Sequence, residues 1–118
     1  MVTETEILND IQQIYKKVDQ CYKAKEDLAK QINKEREDIV GLQIFMKTDE
    51  ERIAAGKRPR YEKASMEANI QRLKDNIALF EKTIAKEDEN IETFRKVVAV
   101  LQEDMKRPKE IVINLADR

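Results

Sequence analysis

The chain has 118 residues, 40% of them charged, and its 23 cations and 24 anions leave a formal net charge of −1. Because it has no histidine, one cysteine and two isolated glycines, we expect no histidine-based catalysis, no internal disulfide, no metal centre and no glycine-rich phosphate loop. The composition therefore predicts a protein that is not an enzyme and binds no cofactor.

The first predicted element is a long helix over about residues 4–54. From Ile7 onward, apolar residues recur in alternating steps of four and three, as at the a and d positions of a coiled coil. Thr3 and Glu6 have the spacing of a capping box at the start of this helix. A single amphipathic helix of this length is typical of a coiled-coil arm.

One alternative stays open within this helix. Gly41 lies in its interior, where glycine is unfavourable, and Thr48 begins "TDEE", a second stretch with capping-box spacing. The first helix is therefore either continuous or broken between Gly41 and Thr48.

The segment "AAGKRPR" is the predicted turn, at about residues 55–58. Gly56 supplies a permissive backbone after the first helix, and Pro59 suits the first turn of a second helix over about residues 59–107. The second helix carries its own heptad series, which ends at Met105. Residues 1–108 therefore form a predicted helical hairpin.

Charged residues within the two heptad series set the predicted register of an antiparallel coiled coil. If the chain folds back at Gly56, Lys25 lies opposite Glu87. The same register places Asp49 opposite Lys63, and a slide by one heptad removes both matches. A charge in the seam, the line of a and d positions where the helices meet, is costly unless an opposite charge faces it. We therefore predict these four residues as two register pairs.

Apolar residues also occur beside the seam, near the helix ends that lie away from the turn. They are Leu8, Tyr15, Tyr22, Val97 and Val100. They exceed what one seam needs, which favours a self-association face that pairs two hairpins into a four-helix bundle dimer. Two alternatives stay open: these residues cover another part of the same chain, or they bind a different protein. Val40, Ile44 and Leu79 form a second set outside the seam.

The turn region combines cations with an aromatic residue. Its candidate contact residues are Arg52, Lys57, Arg58, Arg60 and Tyr61. Cations beside a ring and a helix N-terminus are typical of phosphate or single-stranded nucleic-acid binding. Acidic residues of the same region lower its net charge, so a solvated turn and a contact with an acidic protein stay open as alternatives.

The pattern changes after Pro108, which is predicted to end the second helix. The alternation of Ile111, Ile113 and Leu115 predicts a strand-like tail over residues 109–118. This tail is a candidate for strand addition to a partner or to a dimer mate. A frayed tail and the first strand of a larger domain stay open.

A helical hairpin followed by a strand is similar in outline to the arms of transcript-cleavage factors, seryl-tRNA synthetases and prefoldin subunits. None of the functional residues of these families has a counterpart in this sequence. The resemblance therefore implies only that such an arm acts as a lever, probe or clamp on a larger partner.

No apolar run approaches the roughly 20 residues of a membrane span and the N-terminus has no signal-peptide core, so we expect a cytoplasmic protein without membrane contact. The predicted function is a non-catalytic protein-interaction module, such as an adaptor, assembly factor or inhibitor, that forms a homodimer and binds a macromolecular partner. The alternatives are a nucleic-acid or phosphate-binding module that uses the basic turn, and a structural arm of a larger protein.

Overall fold

A computed structural model describes the chain from Thr3 to Ala116, with side chains described for residues 3–106. Two α-helices follow one another, α1 over Glu4–Ala54 and α2 over Lys63–Ala116. They pack antiparallel as a helical hairpin, and no strand occurs between residues 3 and 116. The predicted all-α hairpin is therefore confirmed.

The chain divides into two compact units. The terminal unit combines Met1–Lys25 with Ala85–Arg118, and the loop unit is Glu26–Ile84. Each unit pairs one segment of α1 with one segment of α2, and the loop unit contains the connection between the helices. Neither helix, over its described residues, has an apolar stretch long enough to cross a membrane.

The core of the terminal unit consists of seam residues from both helices. Ile7, Ile11 and Val98 form one buried cluster, against which Leu101 packs. A second cluster contains Val18, Cys21 and Ile91, with Phe94 packed against it. Leu101 thus packs against the cluster that contains Ile11, which is consistent with the predicted register.

The core of the loop unit also consists of seam residues from both helices. Ile39, Ile70 and Leu73 are buried together, and Leu42 and Ile77 pack against them. Leu42 and Ile70 are opposite one another in the predicted register, and the packing of this unit is consistent with it.

The start of α1 is stabilised by the predicted capping box. The Glu6 N–H donates to Thr3 Oγ1 at 3.2 Å, and the Thr3 N–H donates to Glu6 Oε2 at 3.4 Å. Two amides that the helix itself leaves unpaired thus gain acceptors.

Helix α1 does not break between Gly41 and Thr48. The Thr48 hydroxyl donates to the Ile44 carbonyl at 2.9 Å, within the helix, instead of capping a new one. A Cβ atom at Gly41 would meet no atom within 4 Å, so no close contact inside the chain requires a glycine there. The continuous alternative is therefore the correct one.

Gly56 ends α1 as predicted. Its φ of 77° lies in the left-handed region that glycine enters without steric cost. The Gly56 N–H donates to the Ile53 carbonyl at 3.0 Å, and the Lys57 N–H donates to the Arg52 carbonyl at 2.8 Å. These two bonds form a Schellman motif, which satisfies carbonyls that the helix end would leave unpaired.

The predicted start of the second helix at residue 59 is wrong, because α2 begins at Lys63. Pro59 lies in the loop, and the Asp49 carboxylate of α1 accepts from the amides of the next two residues, Arg60 and Tyr61. Glu62 then precedes the helix. Its carbonyl accepts from the Met66 N–H at 3.1 Å, and its carboxylate accepts from the Ser65 hydroxyl at 3.3 Å.

The predicted strand-like tail is also wrong, because α2 continues through Pro108 to Ala116. The heptad steps that reach Met105 continue to Pro108, Val112 and Leu115, so helical spacing competes there with the two-residue alternation. A helix satisfies its own backbone, whereas a lone strand has no ladder partner in the described chain. The side chains of the strand-addition candidates Ile111, Ile113 and Leu115 lie outside the described residues.

We expect Gly41→Ala to raise the free energy of unfolding by about 1 kcal/mol, because alanine favours the helix and the added methyl meets no neighbour. Urea denaturation of dilute protein, followed by circular dichroism, measures the change. Gly56→Ala is the matched control. It should lower the same free energy by about 1–2 kcal/mol, since alanine is strained at a φ of 77°. A destabilised Gly41→Ala chain would contradict the open surroundings of Gly41.

Candidate functional site

Three side chains of α1 hold the loop. Asp49 is 6% exposed; its Oδ1 accepts from the Arg60 N–H at 3.2 Å and its Oδ2 from the Tyr61 N–H at 3.0 Å. Arg52 Nε donates to the Arg58 carbonyl at 3.3 Å. The Phe45 ring lies 5.6 Å, centroid to centroid, from that of Tyr61. The loop is thus attached to α1 by a buried carboxylate, a guanidinium and an aromatic contact.

The predicted pair between Asp49 and Lys63 does not form. Lys63 Nζ instead lies 3.8 Å from Glu67 Oε1, one helical turn further along α2. The Asp49 carboxylate is satisfied by the backbone amides of Arg60 and Tyr61. Sequence reasoning placed Asp49 correctly in the seam and assigned it the wrong partner.

The second predicted pair is shifted by one residue. Lys25 forms its ion pair with Asp88, not with Glu87. Glu87 lies beside the thiol of Cys21, in the seam, whereas Asp88 is on the flank of α2 that a lysine can reach while its ammonium stays in water. The register itself is unaffected, because the apolar clusters define it.

The loop offers less to an anion than the sequence suggests. The amides of Arg60 and Tyr61 already donate to Asp49, and the guanidinium of Arg52 is engaged with the loop backbone. Of the predicted contact residues, Lys57, Arg58, Arg60 and Tyr61 are exposed. These cations surround a loop in which the amides of Arg60 and Tyr61 are already occupied.

Three concave surfaces flank the loop unit. A cleft of about 260 Å³ lies under the loop, with Met46, Ile53 and Tyr61 in its lining. Two shallow grooves of about 420 Å³ each share Leu42, Phe45 and Asn69. In the described part of the chain no group of three or more histidine, cysteine, aspartate or glutamate side chains is arranged to hold a metal ion.

The terminal unit carries an exposed aromatic stripe on α1. Leu8, Tyr15 and Tyr22, which we call the tyrosine stripe, recur every seven residues and are between 43% and 50% exposed. The Tyr22 hydroxyl accepts a hydrogen bond from the Arg95 guanidinium, and the Lys25 ammonium lies 5.6 Å from the centre of the Tyr22 ring. The stripe thus combines apolar area with two cations from its own hairpin.

Val97 and Val100 do not extend the tyrosine stripe. Successive residues of an α-helix are about 100° apart, so Arg95 and Val97 lie on opposite sides of the buried Val98. Arg95 contacts Tyr22, which places Val97 on the other side of the seam, and Val100 is on that side too. The five residues predicted as one self-association face therefore belong to two surfaces.

Cys21 lies at a seam position and is 8% exposed. The pKa of its thiol is raised, chiefly because the protonated thiol hydrogen-bonds Glu87, and also because burial and the charge of Glu87 disfavour the thiolate. A protonated, buried thiol is a poor nucleophile, so Cys21 is a packing residue.

The sequence analysis missed the exposed ring of Phe45 and underestimated how much apolar surface α1 exposes on one side. Phe45 is 50% exposed, although it stands next to the seam residue Met46, and it holds Tyr61 of the loop. Val40 and Ile44 lie on the same helix and are exposed as well. The signal that could have found this surface is the run "IVGLQIF", which has more apolar residues than a and d positions need.

Comparisons of the chain with protein-family models, with curated proteins and with solved structures returned no match. The function therefore has to be argued from the surfaces of the hairpin.

We expect Asp49→Asn to destabilise the chain by about 1–3 kcal/mol, because an amide offers one acceptor oxygen to two loop amides. Hydrogen exchange of the Arg60 and Tyr61 amides should accelerate in the variant. Glu50→Gln, an exposed neighbour with the same change in charge, is the control and should leave both exchange rates unchanged. Equal protection in the two variants would show that Asp49 does not hold the loop.

Cys21 should react with Ellman's reagent far more slowly in the native chain than in 6 M guanidinium chloride, because it is buried and its pKa is raised. Above pH 9.0, the ordinary thiol pKa, the unfolded chain loses the Cys21 proton before the native chain does. The Cys21 contribution to stability should therefore fall as pH rises through that range, and Cys21→Ala should remove this part of the pH dependence. Rapid native modification at pH 7 would contradict both expectations.

Proposed function

We propose that this chain is a non-catalytic, cytoplasmic coiled-coil module that self-associates and binds another macromolecule, as an adaptor, assembly factor or inhibitor does. The observation that carries the proposed binding of another macromolecule is the tyrosine stripe, an ordered row of exposed aromatic and apolar side chains outside the seam.

The stripe is not needed to hold the hairpin together. The terminal unit already buries Ile7, Ile11, Val18 and Val98 between its two helices. The stripe residues leave about half of each side chain in water, and exposed apolar rows of this kind mark protein contacts. An interaction surface explains an exposure that the fold does not require.

The chemistry of the stripe suits a protein partner. Tyrosine and arginine are enriched at the energetic centres of protein interfaces, and Tyr22 and Arg95 already form a hydrogen-bonded pair across the two helices. The seven-residue spacing of Leu8, Tyr15 and Tyr22 matches the repeat of an apolar helix that would lie alongside α1. We assign the stripe to a helical partner.

The basic loop has no comparable support as a nucleic-acid or phosphate site. Two of its backbone amides donate to Asp49, and acidic residues, among them Glu50 and Glu62, line the cleft beneath it.

The test is affinity capture followed by binding of the purified partner. Replacing Tyr15 and Tyr22 by Glu should raise the Kd for the partner about tenfold or more, because two anions replace the apolar area that the partner covers. Gln13→Glu with Gln20→Glu is the matched control. It adds the same two charges at exposed positions of α1 outside the stripe and should leave the Kd unchanged. If both double variants capture and bind equally, the tyrosine stripe is not the docking surface.

A further inference from the structure

The outer face of α1 in the loop unit carries a second apolar surface. Val40, Ile44 and Phe45 are between 50% and 61% exposed, and they surround Gly41. At about 100° per residue, Ile44 lies opposite the midpoint of the seam residues Ile39 and Leu42, and Gly41 lies about 130° from it. Helix α2 therefore leaves the centre of this face free, and we call the face the outer stripe: Lys34, Glu37, Val40, Gly41, Ile44, Phe45, Thr48 and Glu51. At one edge of the stripe, Gly41 and Phe45 line a shallow groove that Asn69 and Arg72 of α2 also line.

We propose that the outer stripe is the surface through which two copies of this chain meet, with α1 of one copy antiparallel to α1 of the other. This inference rests on the proposed self-association and names its site. It leaves the tyrosine stripe to the helical partner.

The shape of the outer stripe is complementary to itself. In an antiparallel pair centred between Leu42 and Gln43, each Gly41 faces Ile44 of the second copy. A Cβ at Gly41 would meet nothing within 4 Å in its own chain, so the space beside this glycine is open. In the antiparallel pair, the Ile44 side chain of the second copy occupies that space. Glycine lowers helix stability, and no contact within the hairpin needs it at position 41. Room for Ile44 of the second copy explains why a glycine stands there.

The charges of the outer stripe select the same register. The arrangement that pairs Gly41 with Ile44 also places Lys34 opposite Glu51, twice by symmetry. Both side chains are exposed, and neither forms an ion pair within the described residues. They are therefore available to the second copy.

Other registers lose these matches. A slide of one heptad in one direction places Lys34 opposite Ile44, and a slide in the other direction places Gly41 opposite Glu51. A parallel pair in register places like charges together at Lys34 and at Glu51. One antiparallel register alone thus unites the steric and the charge matches.

A charge exchange tests the register. Lys34→Glu and Glu51→Lys should each raise the dimer Kd about tenfold, because each replaces two attractive layers by two repulsive ones. The double exchange, Lys34→Glu with Glu51→Lys, should restore the wild-type Kd to within about threefold. Analytical ultracentrifugation over a concentration series measures all three. Lys82→Glu, an exposed charge reversal on α2, is the control and should leave the Kd unchanged.

A steric variant separates the interface from the fold. Gly41→Leu should raise the melting temperature of the dilute single chain, since leucine favours the helix and its Cβ would meet no atom within 4 Å. The same variant should raise the dimer Kd about tenfold or more, because the leucine occupies the space of Ile44 from the second copy. Leu79→Glu, at a 60% exposed position of α2, should leave the dimer intact.

The measured masses and Kd values distinguish the dimer contact at the outer stripe from self-association in general. If the wild-type chain has a single-chain mass up to about millimolar concentration, self-association is overturned, and the outer stripe as a homodimer contact with it. If the wild type dimerises but the charge reversals and Gly41→Leu leave its Kd unchanged, this site is overturned and self-association stands. Loss of a different bound protein, with no change in mass, would assign the outer stripe to that partner and equally overturn the homodimer contact.

Discussion

The narrow seam between α1 and α2 is the constraint on which the other features of this protein depend. Each helix buries one stripe of side chains, such as Ile11 and Val98 in the terminal unit or Ile39 and Leu73 in the loop unit, and leaves its other faces in water. Burial of these apolar stripes is the main driving force for pairing, because the charged surface around them contributes little. The cross-helix pair between Arg36 and Glu81, for example, is exposed on both sides.

A seam this narrow makes the connection between the helices important. Gly56 ends α1 with a Schellman motif, and the carboxylate of Asp49 then binds the loop backbone at Arg60 and Tyr61. A buried carboxylate is costly unless it is hydrogen-bonded, and two amide donors supply those bonds. The same interaction removes these amides from any external anion. The loop backbone at these two residues therefore serves to close the hairpin.

The narrow seam also explains why apolar residues appear outside it in two separate places. Tyr15 and Tyr22 lie beside the seam in the terminal unit, while Val40 and Ile44 lie on the outer face of α1 in the loop unit. Neither group packs into the clusters that hold the helices together. Two distinct exposed surfaces on one hairpin are the basis for the two contacts that we propose, one with a second copy and one with a different protein.

The sequence by itself determined the two helices, their register and the role of Gly56, because heptad spacing and the preference of glycine for positive φ are local properties. Only the tertiary structure decided the partners of Lys25 and Asp49, the start of α2 at Lys63 and the separation of Val97 from Tyr22. These depend on the path of the loop and on which flank of each helix meets the other, and residue spacing along one chain specifies neither. The tertiary structure also decided that α2 continues through Pro108. The helical and the alternating apolar patterns overlap in that segment, so the sequence pattern alone fits both a helix and a strand.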